Sequence, residues 1–172
     1  MATSSPDPPD RPPRRRAGAA LAGFAAVAAA TAAGGALVGP ARPATLRWYD
    51  GLAKPPFQPP RQAFGPVWSV LYATIAVSGW RTWRRPDSPE RTRALRLWGV
   101  QMAANAAWTP LFFGARRPRP ALADLTVQLA STVGYVATAS RVDRPAAAML
   151  APYVAWTAFA GALNAEIVRR NP

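Results

Sequence analysis

Trp68 and Tyr72, Asn105 and Trp108, Tyr153 and Trp156 form pairs three or four residues apart. That spacing places both members on one face of an α-helix. Each pair belongs to a longer stripe. The first holds Phe64, Trp68, Tyr72, Ile75 and Gly79. The second holds Trp98, Gln101, Asn105, Trp108 and Phe112. The third holds Met149, Tyr153, Trp156, Ala160 and Asn164. Aromatic faces interrupted by amides suit the capture of an apolar molecule by ring contacts, with a few hydrogen bonds to orient it. They do not suit hydrolysis. The chain has no His and no Cys, which excludes imidazole acid–base catalysis, thiol chemistry, disulfides, zinc sites and haem ligation by imidazole.

Such stripes need helices to carry them. The 172 residues suit one domain, with a net charge of +13 and a mean hydropathy near zero. The average conceals clustering. Residues 17–41, 62–80, 97–115 and 145–165 carry no charge, and residues 120–140 carry only Asp124. About 20 apolar residues span a bilayer core, and helices satisfy their own backbone there. The expected fold is all-α, an integral membrane bundle of five transmembrane helices over 17–38, 62–85, 93–113, 120–141 and 146–168. Pro110 is expected to bend the third helix, and Pro152 lies within the fifth. Residues 1–16 read as a disordered basic tail, and 17–172 as the transmembrane domain. Arg14, Arg15 and Arg16 before an Ala-rich run also resemble a secretory signal. The run exceeds the usual h-region of about 7–15 residues, which favours a span. The basic residues sit at run ends and not along one helical face, so they point to a bilayer as partner and not to nucleic acid. Lys and Arg number twelve on the N-terminal side and nine on the other, which leans toward a cytoplasmic N-terminus.

Plainer roles compete for the same residues. Trp48, Trp80, Trp83 and Trp98 lie near run ends, where an aromatic belt accounts for them. Asn105 and Asn164 serve either the cavity or interhelical hydrogen bonds, and either can accept from a buried Trp N–H. Asp124 reads as a helix-end carboxylate paired with a nearby Arg, in preference to a proton relay. Gly99, Ala103 and Ala107 give the third helix a smooth face, fit for another helix or for a homodimer.

Three segments are specific enough to carry a resemblance. They are W-Y-x-x-L-x-K-P-P-F-x-P-P-x-x-x-F-x-x-V-W-S-x-L-Y from Trp48, N-x-x-W-x-x-L-F-F from Asn105, and P-Y-x-x-W-x-x-F-A-x-x-L-N from Pro152. In order and spacing the chain resembles the TspO/translocator protein family, also called tryptophan-rich sensory proteins or peripheral benzodiazepine receptors, over residues 17–171. The resemblance implies a five-helix bundle, often dimeric, with a pocket for porphyrins, sterols and benzodiazepine-type drugs. It implies pocket roles for Trp68, Tyr72, Asn105, Trp108, Trp156 and Ala160. The first loop becomes a lid hinged near Trp48 and Tyr49, and its prolines limit the entropy lost on closing. Two departures matter. Phe57 stands where many relatives have Trp. The sterol motif of the animal proteins is absent, since Tyr153 has no basic residue until Arg169, and Leu46–Lys54 matches it only loosely.

The expected function is binding or sensing of tetrapyrroles, with no obligatory cofactor and a protoporphyrin IX-like ligand. Ligand-binding candidates are Trp48, Tyr49, Phe64, Trp68, Tyr72, Asn105, Trp108, Tyr153, Trp156, Ala160 and Asn164, with Lys54, Arg61 or Arg47 to meet propionates. Light-driven degradation of porphyrin, which the resemblance implies, is the enzymatic alternative, with Trp68 and Trp156 as its candidate catalytic residues, acting as electron or radical partners; passive transport is the other. Coupled transport is disfavoured by the lack of midplane charges. The Ala-, Arg- and Pro-rich composition suggests a bacterial plasma membrane.

Overall fold

The structure, a computed structural model, describes residues 14–38 and 43–172. The elements are α1 (Arg14–Val38), α2 (Pro43–Asp50), a 3-10 turn (Arg61–Ala63), α3 (Phe64–Trp83), α4 (Pro89–Thr109), a π-helical turn (Pro110–Gly114), α5 (Pro118–Ala139), α6 (Arg144–Ala148) and α7 (Ala151–Arg170). The five expected spans are present as α1, α3, α4, α5 and the α6–α7 pair. The added helix, α2, lies in the first loop. Among the described residues there is no strand.

The long helices pack around one another, α4 along α5, α5 along α7, and α1 against α3 and α4. Two spans, Arg16–Leu37 and Arg144–Arg170, are long and apolar enough by composition to cross a membrane. The distribution of polarity extends the argument to the rest. Leu37, Val70 and Val127 are exposed, while Ser78, Thr82, Gln101, Gln128, Thr132, Thr157 and Asn164 are buried. Apolar side chains on the exterior, with polar ones buried among the core, suit a solvent of lipid tails, where buried polar side chains hold helices together.

Several boundaries differ from expectation for identifiable reasons. Residues 1–13 of the expected tail lie outside the described residues, and Arg14–Arg16 already belong to α1. Helix α4 starts at Pro89 and not at 93. Ser88 caps it by accepting from the Arg91 backbone N–H at 3.0 Å, with Pro89 and Glu90 in the first turn. That is a complete N-terminal signal. At its far end Pro110 cannot donate to the helical ladder. The chain widens into the π turn instead of simply bending, and the adjacent Phe112 and Phe113 both become buried. The fifth span is interrupted. Pro152 falls in the first turn of α7 and not inside a continuous helix, because the ladder is interrupted at Leu150, whose N–H donates to the Ala147 carbonyl three residues back at 3.1 Å.

Trp98 is also corrected. It is buried, not interfacial: its indole N–H donates to the Ile75 carbonyl at 3.0 Å, and Phe24 meets it edge-on at 4.8 Å. Gly79 makes this possible. A Cβ there stands 2.6 Å from Trp98 Nε1 and 2.9 Å from Phe24. Gly79→Ala is therefore expected to displace Trp98 and cost about 2 kcal/mol by overpacking. A lowered unfolding temperature in detergent, with a red-shifted Trp emission, checks this. An unchanged midpoint refutes it.

The smooth face of α4 is open. Gly99 and Ala103 are exposed, Ala107 is half-buried, and a Cβ on Gly99 meets nothing within 4 Å. Of the two partners expected for that face, a helix of the same chain is absent among the described residues.

Candidate ligand-binding cavity

A cavity of about 480 Å³ opens between the five spans near the first loop. Trp68 and Tyr72 come from α3, Asn105 and Trp108 from α4, Phe112 from the π turn, and Trp156, Ala160 and Asn164 from α7. Phe64 and Tyr49 complete its aromatic wall, and Arg61 reaches its lining from the 3-10 turn. The helical spacing of the stripes produces this convergence. Trp68 lies 5.2 Å from Tyr72 and 6.4 Å from Trp156, and Trp156 contacts Phe64 at 5.7 Å. Trp108 stacks on Phe112 at 5.0 Å and an interplanar angle of 20°.

Two expected site residues are not in this wall. Trp48 packs behind it, 5.7 Å from Phe112. Tyr153 is fully buried and organises a polar knot at the cavity's back. Its hydroxyl accepts from Asn105 Nδ2 at 2.9 Å and Gln128 Nε2 at 2.5 Å, and donates to Gln101 Oε1 at 3.0 Å. Tyr72 in turn donates to Asn105 Oδ1 at 2.8 Å. Asn105 thus bridges two tyrosines and does not accept from a Trp. Asn164 does not either: its Nδ2 donates to the Pro118 carbonyl at 2.8 Å, and its Oδ1 has no partner among the described residues. Gln128 lines the cavity and was not foreseen. Its place four residues after Asp124, on a helix with no other carboxylate or amide, is the available signal. Asp124 has no ion pair among the described residues, and its Oδ2 is buried without a partner. The expected pairing with an arginine is therefore not found.

The first loop region gives Tyr49 and Arg61 to the lining and is a fastened segment. The Ala53 N–H donates to Asn171 Oδ1 at 3.0 Å, and Asn171 Nδ2 donates back to the Ala53 carbonyl at 3.1 Å. This two-point contact ties the loop to the end of α7. Tyr49, on α2, is buried against Phe113 at 5.4 Å. Burial pushes its phenol upward against the pull of Arg61. Lys54 sits 4.7 Å over the Tyr49 ring and donates to the Asp50 carbonyl at 3.1 Å. Arg61 pairs with Asp50 and keeps half its side-chain surface. Of the three basic candidates, Arg61 alone belongs to the lining; Lys54 and Arg47 do not.

Known proteins resemble the chain over most of its length. The TspO/MBR family matches residues 24–170. The chain is 39% identical over 128 residues to the translocator protein of Bos taurus, covering 73% of this chain and 76% of that one. It is 36% identical over 126 residues to protein CrtK of Rhodobacter capsulatus, covering 73% and 79%. It is 34% identical over 124 residues to the tryptophan-rich sensory protein of Cereibacter sphaeroides, covering 72% and 77%.

Proposed function

The chain belongs to the TspO/MBR family of helical membrane proteins, and we propose that its cavity binds a tetrapyrrole of the protoporphyrin IX type. The observation that carries this reading is the aromatic cavity of about 480 Å³ with a cation in its lining. That volume lies in the range of roughly 300–1,000 Å³ typical of small-molecule sites. Trp68, Trp108, Phe112 and Trp156 offer ring faces and edges to a flat macrocycle. Arg61, partly exposed, is placed to meet a propionate at the mouth. The bilayer delivers such a ligand, and the composition favours a bacterial plasma membrane.

Trp156 touches three other rings, those of Phe64, Trp68 and Phe159. Titration of detergent-purified protein with protoporphyrin IX in the dark, followed by Trp quenching and the Soret band, is expected to saturate at micromolar concentration or below. Trp156→Ala is expected to weaken binding at least tenfold. Absence of saturation, or equal binding by both proteins, refutes the reading.

Proximity of Trp68 and Trp156, at 6.4 Å, favours one second reading. A photo-excited porphyrin beside this edge-to-face pair has electron donors at hand, with dioxygen as the oxidant. Illumination of wild type and Trp156→Phe, each saturated with porphyrin, tests it: dark-stable complexes of which only wild type loses its Soret band in light support degradation over binding alone.

A further inference from the structure

Among the described residues, five that line the cavity are exposed. Ala32 and Ala36 belong to α1, Gly65 and Ser69 to α3, and Arg61 stands just before α3. Every lining residue from α4, the π turn, α5 and α7 is buried or half-buried. The cavity therefore reaches the exterior on one side, along the seam between α1 and α3.

The two helices are joined at one end of this seam and part at the other. At the joined end Trp80 Nε1 donates to the Ala17 carbonyl at 2.8 Å, and Phe24 stands 2.9 Å from a Cβ on Gly79. From there α1 and α3 run antiparallel. At about 1.5 Å per residue, Ala36 lies about 18 Å from Phe24, and Ser69 and Gly65 lie about 15 and 21 Å from Gly79. The rims are thus level with each other. Ala32 and Ala36 are four residues apart, as are Gly65 and Ser69, so each pair shares a helix face. No exposed lining side chain on either rim is larger than serine. A Cβ on Gly65 meets nothing within 4 Å. The Ser69 hydroxyl is turned onto its own helix and donates to the Gly65 carbonyl at 3.0 Å, so an apolar molecule passing it strands no polar group. Val70, the next residue, is 63% exposed and marks the lipid-facing side of α3.

The approach from water is tied instead. Ala53 lies between the lining residues Tyr49 and Arg61 and is held to Asn171 by two hydrogen bonds. Arg61 pairs with Asp50. Passage along the seam breaks none of these bonds. Resting on the tetrapyrrole reading above, we propose that α1 and α3 form a lateral gate through which the ligand passes directly between the lipid and the cavity. Taking a carboxylate through hydrocarbon is costly. Arg61 stands where the uncharged run of α3 begins, at the outer end of the gate, so acidic arms stay beside it while the apolar edge of the ring leads. The gate suits ligands that dissolve in the bilayer and carry their acidic groups along one edge.

The chain has no Cys, so Ser69→Cys and Ala36→Cys each accept a single bulky, non-fluorescent maleimide. Stopped-flow Trp quenching by protoporphyrin IX in one detergent gives the association rate before and after labelling. Chasing the bound porphyrin into excess lipid vesicles gives the release rate of protein labelled after loading. Labelling at either rim is expected to slow both rates at least tenfold. The same label on Val127→Cys, exposed on α5, and the untying change Asn171→Ala are each expected to leave both rates within twofold. A label that merely fills the cavity does not slow release of a ligand already inside, so unchanged or faster release from the labelled rim variants overturns the gate. So does unchanged association, or a tenfold acceleration by Asn171→Ala. In each of these cases porphyrin still binds saturably and the tetrapyrrole reading stands. If unlabelled wild type shows no saturable binding, both are overturned.

Discussion

Replacing Tyr153 by Phe is expected to lower the stability of the folded bundle by about 3 kcal/mol. The change deletes one oxygen atom, yet that atom serves three partners at 2.5–3.0 Å: Asn105 Nδ2, Gln128 Nε2 and Gln101 Oε1. All three belong to buried residues, on α4 and α5. Each group left unpaired costs about 1–3 kcal/mol, and partial rearrangement keeps the total near the low end of their sum. Tyr135 supplies the control. It is equally buried, and its hydroxyl meets Ser78 at 2.7 Å and Thr82 at 2.8 Å. Ser78, however, also reaches the Ala146 carbonyl at 2.7 Å, and Thr82 can fall back on a carbonyl of its own helix. Tyr135→Phe is accordingly expected to cost only about 1 kcal/mol. Denaturant or thermal unfolding of both variants in the same detergent measures the difference. Equal losses in the two variants contradict the reading that the Tyr153 knot holds α4, α5 and α7 together.

The same knot explains how far periodicity reaches. Helical spacing puts Trp68, Tyr72, Asn105, Trp108, Trp156, Ala160 and Asn164 on three stripes and leaves the two asparagines open between cavity and interhelical bonds; all seven line the cavity. It placed Tyr153 on the correct face as well. Angle around a helix, however, says nothing of depth, and Tyr153 sits one layer behind the lining. Hydrogen-bond partners were least legible. Asn105 and Asn164 were natural acceptors for a Trp N–H, but choosing among acceptors depends on translation between helices, which no single helix encodes. Trp98 found the Ile75 carbonyl because Gly79 let it approach the backbone of α3. Pro110 and Pro152 were visible as interruptions. Whether a missing N–H yields a kink, a π turn or a new helix start depends on what the next residues pack against. Here Phe112 and Phe113 gain burial from the widened turn. The fastening of the first loop joins Ala53 to Asn171, 118 residues apart, and has no local signal.

At the opposite end from the cavity mouth, Asp143 gives the second large effect, and its pH dependence separates its two roles. The carboxylate is 3% exposed. Its Oδ1 accepts from the Ala146 N–H at 3.0 Å, capping α6, and from Arg81 Nη2 at 3.2 Å. Its Oδ2 meets Arg85 at 2.8 Å. Burial pushes the carboxyl upward. The Ala146 N–H and the guanidinium groups of Arg85 and Arg81 outweigh that and hold it below the usual carboxylate range. A group whose folded pKa is depressed contributes stability that is fully present above the unfolded value of about 3.9. That contribution is lost as pH falls through the lower folded value. Asp143→Ala removes the cap and both ion pairs, and is expected to cost about 2–3 kcal/mol at neutral pH. The capping bond accounts for about 1 kcal/mol. The ion pairs supply the rest, moderated because Arg81 and Arg85 keep 34% and 46% of their side-chain surface. Asn is as good an N-cap as Asp, so Asp143→Asn retains the first contribution and loses only the second. Its deficit is expected to be about 1 kcal/mol at pH 7 and to close as wild type is acidified below pH ~4. A deficit that stays constant down to pH 2, with unfolding measured in one detergent across the series, shows that the charge of Asp143 does not tie α3 to α6.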